Sequence, residues 1–301
     1  MTRRTAFELL LASPLVFGQD AKIAPSPVLP TAVPDPEDYV CPMDPDVRSS
    51  KPGVCPRCGM KLQLGVPEAV EFPVHLELNP RVIRAGEKFE ITFHIDDPKT
   101  GQPVRRFEAV HERLFHMFIV SQDLEYFIHD HPVFGADRIF RYEATLPKPG
   151  LYRILSDFYP TGATPQLIER TLIVPAAAGR EIPLQSASLS PELGTSHCAN
   201  MDVELITDPV QPICGMKTML FFKFNPAEGL EKYLGAWGHM LAASDDLIDM
   251  IHTHPFIADG GPQAQFNVIF PRERVYRVWV QFQRKGVVDT AAFNIPVTEL
   301  R

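Results

Sequence analysis

Residues 113–132 and 236–255 align without a gap, and this match constrains the fold more than any other feature of the chain. It sets His116 on His239, Met117 on Met240, Ser121 on Ser244, Asp123 on Asp246 and Leu124 on Leu247. It also sets Ile128 on Ile251, His129 on His252, His131 on His254 and Pro132 on Pro255. Such matching implies the duplication of one domain. The text around each copy is of β type. In the first copy, apolar or alternating runs fall at Val74–Leu78, Lys88–Asp96, Leu114–Val120, Tyr126–His131, Ile139–Ala144, Leu151–Phe158 and Thr171–Val174. The second has them at Val203–Ile206, Thr218–Phe224, Gly238–Ala243, Ile248–His252, Ala264–Phe270, Arg274–Phe282 and Ala291–Ile295. Turn signals such as Asp97-Pro98-Lys99-Thr100-Gly101 and Pro147-Lys148-Pro149-Gly150 separate them. Short strands at this spacing predict a mainly β chain with two sandwich domains, over 70–175 and 199–298. The small and polar stretch 176–198 reads as their linker.

Each copy carries His-Met, a Ser-x-Asp-Leu turn and then His-x-His-Pro. If the turn is tight and unbulged, its midpoint lies between Gln122 and Asp123, so His116 faces His129 directly and His131 follows on the same face. Directly opposed residues on one face have Cβ atoms about 4.5–5.5 Å apart. The same arithmetic about Asp245 and Asp246 gathers His239, His252 and His254. Three neutral imidazoles on a rigid sheet suit Cu(II), Zn(II) or Ni(II), while Met117 and Met240 alternate to the other face unless a bulge redirects them. The bland alternative is that these are fold residues kept by both copies, hydrogen-bonding the turn or covering a core edge. Six of the ten histidines fall in these two triads, which favours a chemical role. His75, His94 and His111 read as ordinary surface or loop residues, although His111 precedes His116 closely enough to join its site. Trp237 and Trp279 read as core or rim aromatics.

Residues 39–62 concentrate sulfur in a Pro/Gly-stiffened knuckle: Tyr-Val-Cys-Pro-Met-Asp-Pro, then Pro-Gly-Val-Cys-Pro-Arg-Cys-Gly-Met-Lys-Leu. Cys55 and Cys58 have the spacing with which two thiolates grip one ion, and Cys41 adds a third from a loop. Met43 and Met60 supply thioethers suited to Cu(I) or Ag(I). A Cys55–Cys58 disulfide or a purely structural zinc knuckle are the alternatives. The segment resembles the heavy-metal-binding domain near the N-termini of periplasmic adaptor subunits of copper/silver efflux pumps and of some copper-transporting ATPases. That resemblance implies Cys41, Met43, Cys55, Cys58 and Met60 as ligands. Where the family pattern has His, this chain has Asp44, a harder donor that leaves the fourth ligand and the choice between zinc and copper open. The two repeats, in turn, resemble tandem Ig-like domains that accompany this knuckle in exported bacterial proteins of uncharacterised activity, which share the text of Tyr276–Arg284. The resemblance implies Ig-like sandwiches and brings no reaction.

The chain has 301 residues, 45% of them apolar and 10% aromatic, enough for real cores. Residues 1–18, with Arg3 and Arg4 before an apolar stretch from Ala6 to Phe17, fit a signal peptide, with Glu8 the residue that fits least. Residues 19–37 carry Pro25, Pro27, Pro30, Pro34 and Pro36 and read as a tether for the knuckle, which spans 38–65. No other apolar run reaches the roughly 20 residues that span a bilayer, so no membrane span is expected in the mature chain. The net charge of −8 argues against nucleic acid and is compatible with cation binding. Cys198 and Cys214 fall at opposite ends of an expected hairpin, too far apart to bridge at about 3.3 Å per residue. A second soft cluster of His197, Cys198, Met201, Cys214 and Met216 is the other way to place them. Nothing resembles a nucleophile elbow, a phosphate loop or a dinucleotide fingerprint.

These residues set the functional expectation: a periplasmic or secreted metal-binding protein, not an enzyme, that captures or delivers copper or silver, with zinc as a further candidate. Its partners would be metal ions and a metal-efflux or metal-acceptor protein. A copper-dependent oxidoreductase using the histidine triads is the runner-up, and a scaffold or docking module the third reading.

Overall fold

Alternation along the strands decides which faces meet. In the computed structural model of the protein, residues 39–44, 47–65, 70–176, 182 and 186–300 are described. The expected signal segment 1–18 and tether 19–37 lie outside them. Every regular element among the described residues is a β-strand, and no helix there is long and apolar enough to cross a membrane.

The knuckle is a three-stranded sheet of β1 (Tyr39–Val40), β2 (Arg48–Ser49) and β3 (Gln63–Leu64), with β1 central. The first repeat has β4 (Val74–Asn79), β5 (Lys88–Ile95), β6 (Phe115–Ser121), β7 (Phe127–Asp130), β8 (Val133–Phe134), β9 (Phe140–Thr145), β10 (Gly150–Phe158) and β11 (Gln166–Val174). They form two antiparallel sheets, ordered β4-β5-β9-β8 and β11-β10-β6-β7. Phe89, Ile91 and Phe93 from the first and Phe115, Met117, Tyr152 and Ile154 from the second share one core. A sandwich follows because alternate residues on each sheet are apolar and need the other sheet to cover them.

The second repeat has β12 (Gly194–His197), β13 (Asp202–Asp208), β14 (Lys217–Asn225), β15 (Leu230–Glu231), β16 (His239–Ser244), β17 (Met250–Thr253), β18 (Pro255–Ile257), β19 (Gln263–Ile269), β20 (Val275–Arg284) and β21 (Val287–Pro296). One sheet runs β12-β13-β14-β19-β18; in the other, β20 is flanked by β16 and β21, with β15 pairing its far end and β17 on the edge of β16. Strand β12 lies inside the stretch expected to be linker and instead extends this sandwich. Like β8, β15 and β18, it is too short to announce itself by periodicity.

Two strands have no solvent face at all. Every residue of β6 and of β16 is buried. One face of β6, Phe115, Met117 and Ile119, fills its own sandwich. The other face brings Phe118 and Val120 into a separate cluster with Leu155, Leu241, Ala243, Leu247, Met250 and Trp279. That cluster draws on both repeats, so it joins one sandwich to the other, and Trp279 stacks on Phe127 of the first repeat at 4.9 Å. His116 and His239 sit on the same inter-repeat faces as Phe118 and Leu241, since side chains two apart share a face.

The hairpin register differs from the tight-turn expectation. Phe118 pairs His129 and Met117 pairs Asp130; in the second repeat Leu241 pairs His252 and Met240 pairs Thr253. The turn holds four residues between Ser121 and Tyr126, with Leu124 at φ 59 and its counterpart Leu247 at φ 54. Ser121 and Ser244 fix it by donating to Asp123 at 2.5 Å and Asp246 at 2.6 Å. The shift is two residues in each pairing, so every side chain stays on its predicted face.

Candidate metal centres

In the knuckle, Cys41, Asp44, Cys55 and Cys58 bring one donor atom each within 4.8 Å of one another. Gly59, at φ 76, closes the Cys55–Cys58 turn with an N–H to Cys55 O at 2.9 Å, a backbone geometry that glycine adopts at no steric cost. The sulfurs of Cys41 and Cys58 are 3.6 Å apart. Asp44 Oδ2 lies 3.4 Å from Cys55 Sγ and 3.8 Å from Cys41 Sγ. A tetrahedral ion with metal–sulfur bonds of about 2.3 Å and a metal–oxygen bond of about 2.05 Å needs donor separations of roughly 3.8 and 3.5 Å, so the set fits. Asp44 is aimed by Arg57, whose Nη1 donates to the other carboxylate oxygen at 3.1 Å. Cys41 is the thiolate of the group: the Cys58 thiol, together with the backbone N–H of Asp44, pushes its pKa down to about 6, and the same shared proton holds Cys58 up. Burial raises Cys55. All five cysteines are free.

Met60 is buried against Val110 and Tyr159 of the first repeat, with Met43 and Cys58 beside them. Gln63 donates to the Tyr159 hydroxyl and, at 3.3 Å, to Ala163 O, and Arg57 covers the ring of Phe256 in the second repeat at 4.4 Å. The knuckle is therefore packed on both sandwiches.

Both predicted triads are assembled: His116, His129 and His131 in one, His239, His252 and His254 in the other. The two are not separate. Ring centroids of His116 and His239 are 5.7 Å apart, those of His129 and His239 5.4 Å and those of His129 and His252 6.0 Å. His111, expected to be an ordinary loop residue, is buried here too, 3.8 Å from the ring of His254, joining the second triad and not that of His116. Seven imidazoles thus meet where the repeats pack.

Their tautomers can be read from their outer partners. His116 donates from Nε2 to Val110 O at 2.9 Å, and His239 does the same to Tyr233 O at 2.9 Å. His129 donates from Nδ1 to Gln281 Oε1 at 2.7 Å; the Gln281 amide donates to Thr290 Oγ1, which fixes its orientation. The nitrogens left facing each other, His116 Nδ1 and His129 Nε2, are both lone-pair donors only 3.1 Å apart, with His131 Nε2 3.2 Å from the former. Two lone pairs at that distance repel unless a cation lies between them. Three metal–nitrogen bonds of about 2.05 Å in a tetrahedral site place nitrogens roughly 3.3 Å apart, so this geometry also fits an ion. In the second triad His254 Nε2 and His239 Nδ1 are 3.0 Å apart, while His252 Nδ1 donates to Asp157 Oδ2 at 2.6 Å. His252 Nε2 and His111 Nε2 are buried with no hydrogen-bond partner. Burial, reinforced by neighbouring imidazoles, pushes His111 and His131 down to about 3, His116 to about 4 and His129 to about 2, with His239 and His254 well below 6.5. At neutral pH these six are unprotonated, as metal ligands must be.

Asp157, Gln281 and Tyr233 carry no motif and escape a reading by residue type. Asp157 pairs across the ladder with His116, and Gln281 with His239, so the corresponding positions in the two repeats hold different residues. His197, Cys198 and Cys214 join none of the His, Cys, Asp and Glu clusters that the described residues form, while Met201 packs in the second sandwich's core and Met216 is exposed. His197 pairs instead with Asp202 at 2.8 Å, while His75 and His94 lie on the outer sheet near Asp96 and Glu77.

A cavity of about 570 Å³ opens between these centres, lined by Met43, Asp44, Arg57 and Cys58 on one side and by His111, His252 and His254 on the other.

The sequence model of a heavy metal binding domain matches residues 39–63. A 57-residue stretch is 46% identical to a copper-transporting P-type ATPase of Rhizobium leguminosarum bv. viciae, covering 18% of this chain and 6% of that protein. Among solved structures, the Escherichia coli adhesin FdeC is matched over 78% of this chain and 67% of that one at 14% identity, with a TM-score of 0.24. The Yersinia pseudotuberculosis adhesin InvE is matched over 75% and 60% at 11% identity and the same score. A domain of unknown function, DUF8832, matches residues 69–174 and again 197–299, and the chain belongs to that family, carrying its domain twice behind a heavy metal binding domain.

Proposed function

We propose that the protein is an exported metal carrier that captures copper or silver, with zinc as a third candidate, at the thiolate knuckle and holds it at the inter-repeat histidines. The observation that carries the reading is the knuckle's donor set: three sulfurs and one carboxylate oxygen close to tetrahedral spacing, in a segment that the heavy metal binding domain model matches. Thiolates and thioethers favour Cu(I)-like ions, and imidazoles favour divalent ones. The cavity between Cys58 and His254 supports passage from one to the other within a single chain. Delivery or resistance would then be its role outside the cytoplasm, with an efflux or acceptor protein receiving the ion.

A scaffold needs its histidines to satisfy one another, and the unpartnered nitrogens of His111 and His252 favour ligands instead. A copper-dependent oxidoreductase is the second reading, supported by the cavity that reaches His252 and His254. Metal stoichiometry of the reduced chain with Cu(I), Cu(II) and Zn(II), read beside turnover with oxygen and a reductant, separates them. Binding without turnover is expected; sustained turnover would favour the enzyme, and no binding at all would return the protein to the scaffold class.

A further inference from the structure

We propose that the two histidine triads are the halves of one two-ion centre, made unlike chiefly by one exchanged pair: Asp157 behind His252 gives the second-repeat half the tighter hold on a divalent ion, and Gln281 behind His129 leaves the first-repeat half the weaker. This rests on the reading that the imidazoles bind metal. Each half is braced by the other repeat. Asp157 stands on β10 of the first repeat and accepts from His252 of the second at 2.6 Å; Gln281 stands on β20 of the second and accepts from His129 of the first at 2.7 Å. They occupy matching places in their sheets, opposite His116 and His239. The scaffold is thus symmetric, and the halves differ in the acceptor's charge and in His111, whose ring lies against His254 of the Asp157 half while Leu234 holds the matching place in the second repeat.

That charge decides the order of filling. A carboxylate behind a ligating imidazole raises its donor strength and cancels one unit of the ion's charge, whereas an amide orients the ring and cancels nothing. The Asp157 side chain is only 10% exposed, so solvent screens it little. Asp130 approaches His131 Nδ1 only to 3.8 Å and is 52% exposed, so it does not restore the balance. The unpartnered buried nitrogens, His252 Nε2 and His111 Nε2, both lie on the Asp157 half. An ion there would take up a lone pair that the apo protein leaves unsatisfied.

The test titrates Cu(II) into the full chain with Cys41, Cys55 and Cys58 changed to serine, following the electron spin resonance signal and measuring both dissociation constants by competition. Two equivalents should bind with affinities at least about tenfold apart, and the second should broaden the signal of the first because the spins are neighbours. Asp157→Asn should weaken the tighter step about 10–100-fold, Gln281→Glu should strengthen the weaker one, and the double exchange should reverse the order, with His254→Ala and His131→Ala identifying the halves. Equal steps that ignore Asp157→Asn, or two magnetically isolated signals, overturn the two-ion centre while leaving imidazole binding intact. If the thiol-free chain binds nothing, the reading of the histidines as ligands fails with it.

Discussion

The knuckle and the histidine centre hold their ligands in opposite ways. The knuckle takes four donors from residues 41–58 through its own turns, so removing a donor is the direct way to disable it. The histidine centre gathers imidazoles from residues 111–254, and its outer partners Asp157 and Gln281 each come from the repeat opposite the imidazole they hold. Although each triad is drawn from one repeat, the joint centre with its outer bracing exists only while the two sandwiches stay packed. It can therefore be lost without touching a ligand, which gives a way to tell the two apart.

The largest expected effect comes from Phe118→Ala. Phe118 lies in the inter-repeat cluster and its ring stacks on His129 at 4.3 Å, so truncation should cost about 3–5 kcal/mol of stability and loosen the histidine centre. Denaturation with metal analysis should find the knuckle ion retained and the imidazole-bound ions lost; loss of both together would mean that the regions are not independent. Cys55→Ser with Cys58→Ser should do the reverse, abolishing soft-metal binding with the histidine stoichiometry unchanged, as a titration with Cu(I) and Zn(II) would report.

Acid should also separate them. The imidazoles are held below 6.5 by burial, so the unfolded chain takes up more protons than the folded one as pH falls. The stability that depends on neutral histidines is complete above about pH 7 and drains as pH drops through 6.5 toward about 4. Melting of the metal-free chain between pH 7.5 and 4.5 should show a steady decline that His111→Ala, His129→Ala and His254→Ala each flatten; a pH-independent melting temperature would contradict neutral burial. The smallest effect belongs to Met43→Leu with Met60→Leu. The swap conserves volume, so stability should fall by less than about 1.5 kcal/mol, Zn(II) stoichiometry should hold, and Cu(I) affinity should drop; an unchanged Cu(I) affinity would assign both thioethers to packing alone.

How much of this was legible in the sequence follows the same division. The knuckle's cysteines lie in one short stretch and could be read residue by residue, whereas the sequence left the fourth donor open and the fold brings Asp44 to them. Triad membership was also legible, even though the assumed turn was two residues too tight, because a two-residue shift returns each histidine to the same face. The meeting of the triads was not. Periodicity places a side chain on a face but does not say which domain covers that face, although the unbroken apolar stretches of β6 and β16 already required cover on both sides. Asp157 and Gln281 were missed for the same reason, and His111, offered for the site of His116, joins the other triad. Their roles come from packing across the repeats, and His111 reaches the cluster through a left-handed backbone at φ 48 that no motif announces.

The central claim is that one chain carries a sulfur-bound and a nitrogen-bound metal position side by side. X-ray absorption at the metal edge tests it most directly, on the full reduced chain loaded first with one equivalent of Cu(I) and, separately, with excess Zn(II). The account predicts a sulfur-dominated shell for the first and a mixed spectrum with a strong imidazole component for the second. A sulfur-only spectrum at every loading would contradict it and leave the paired sandwiches as the knuckle's support.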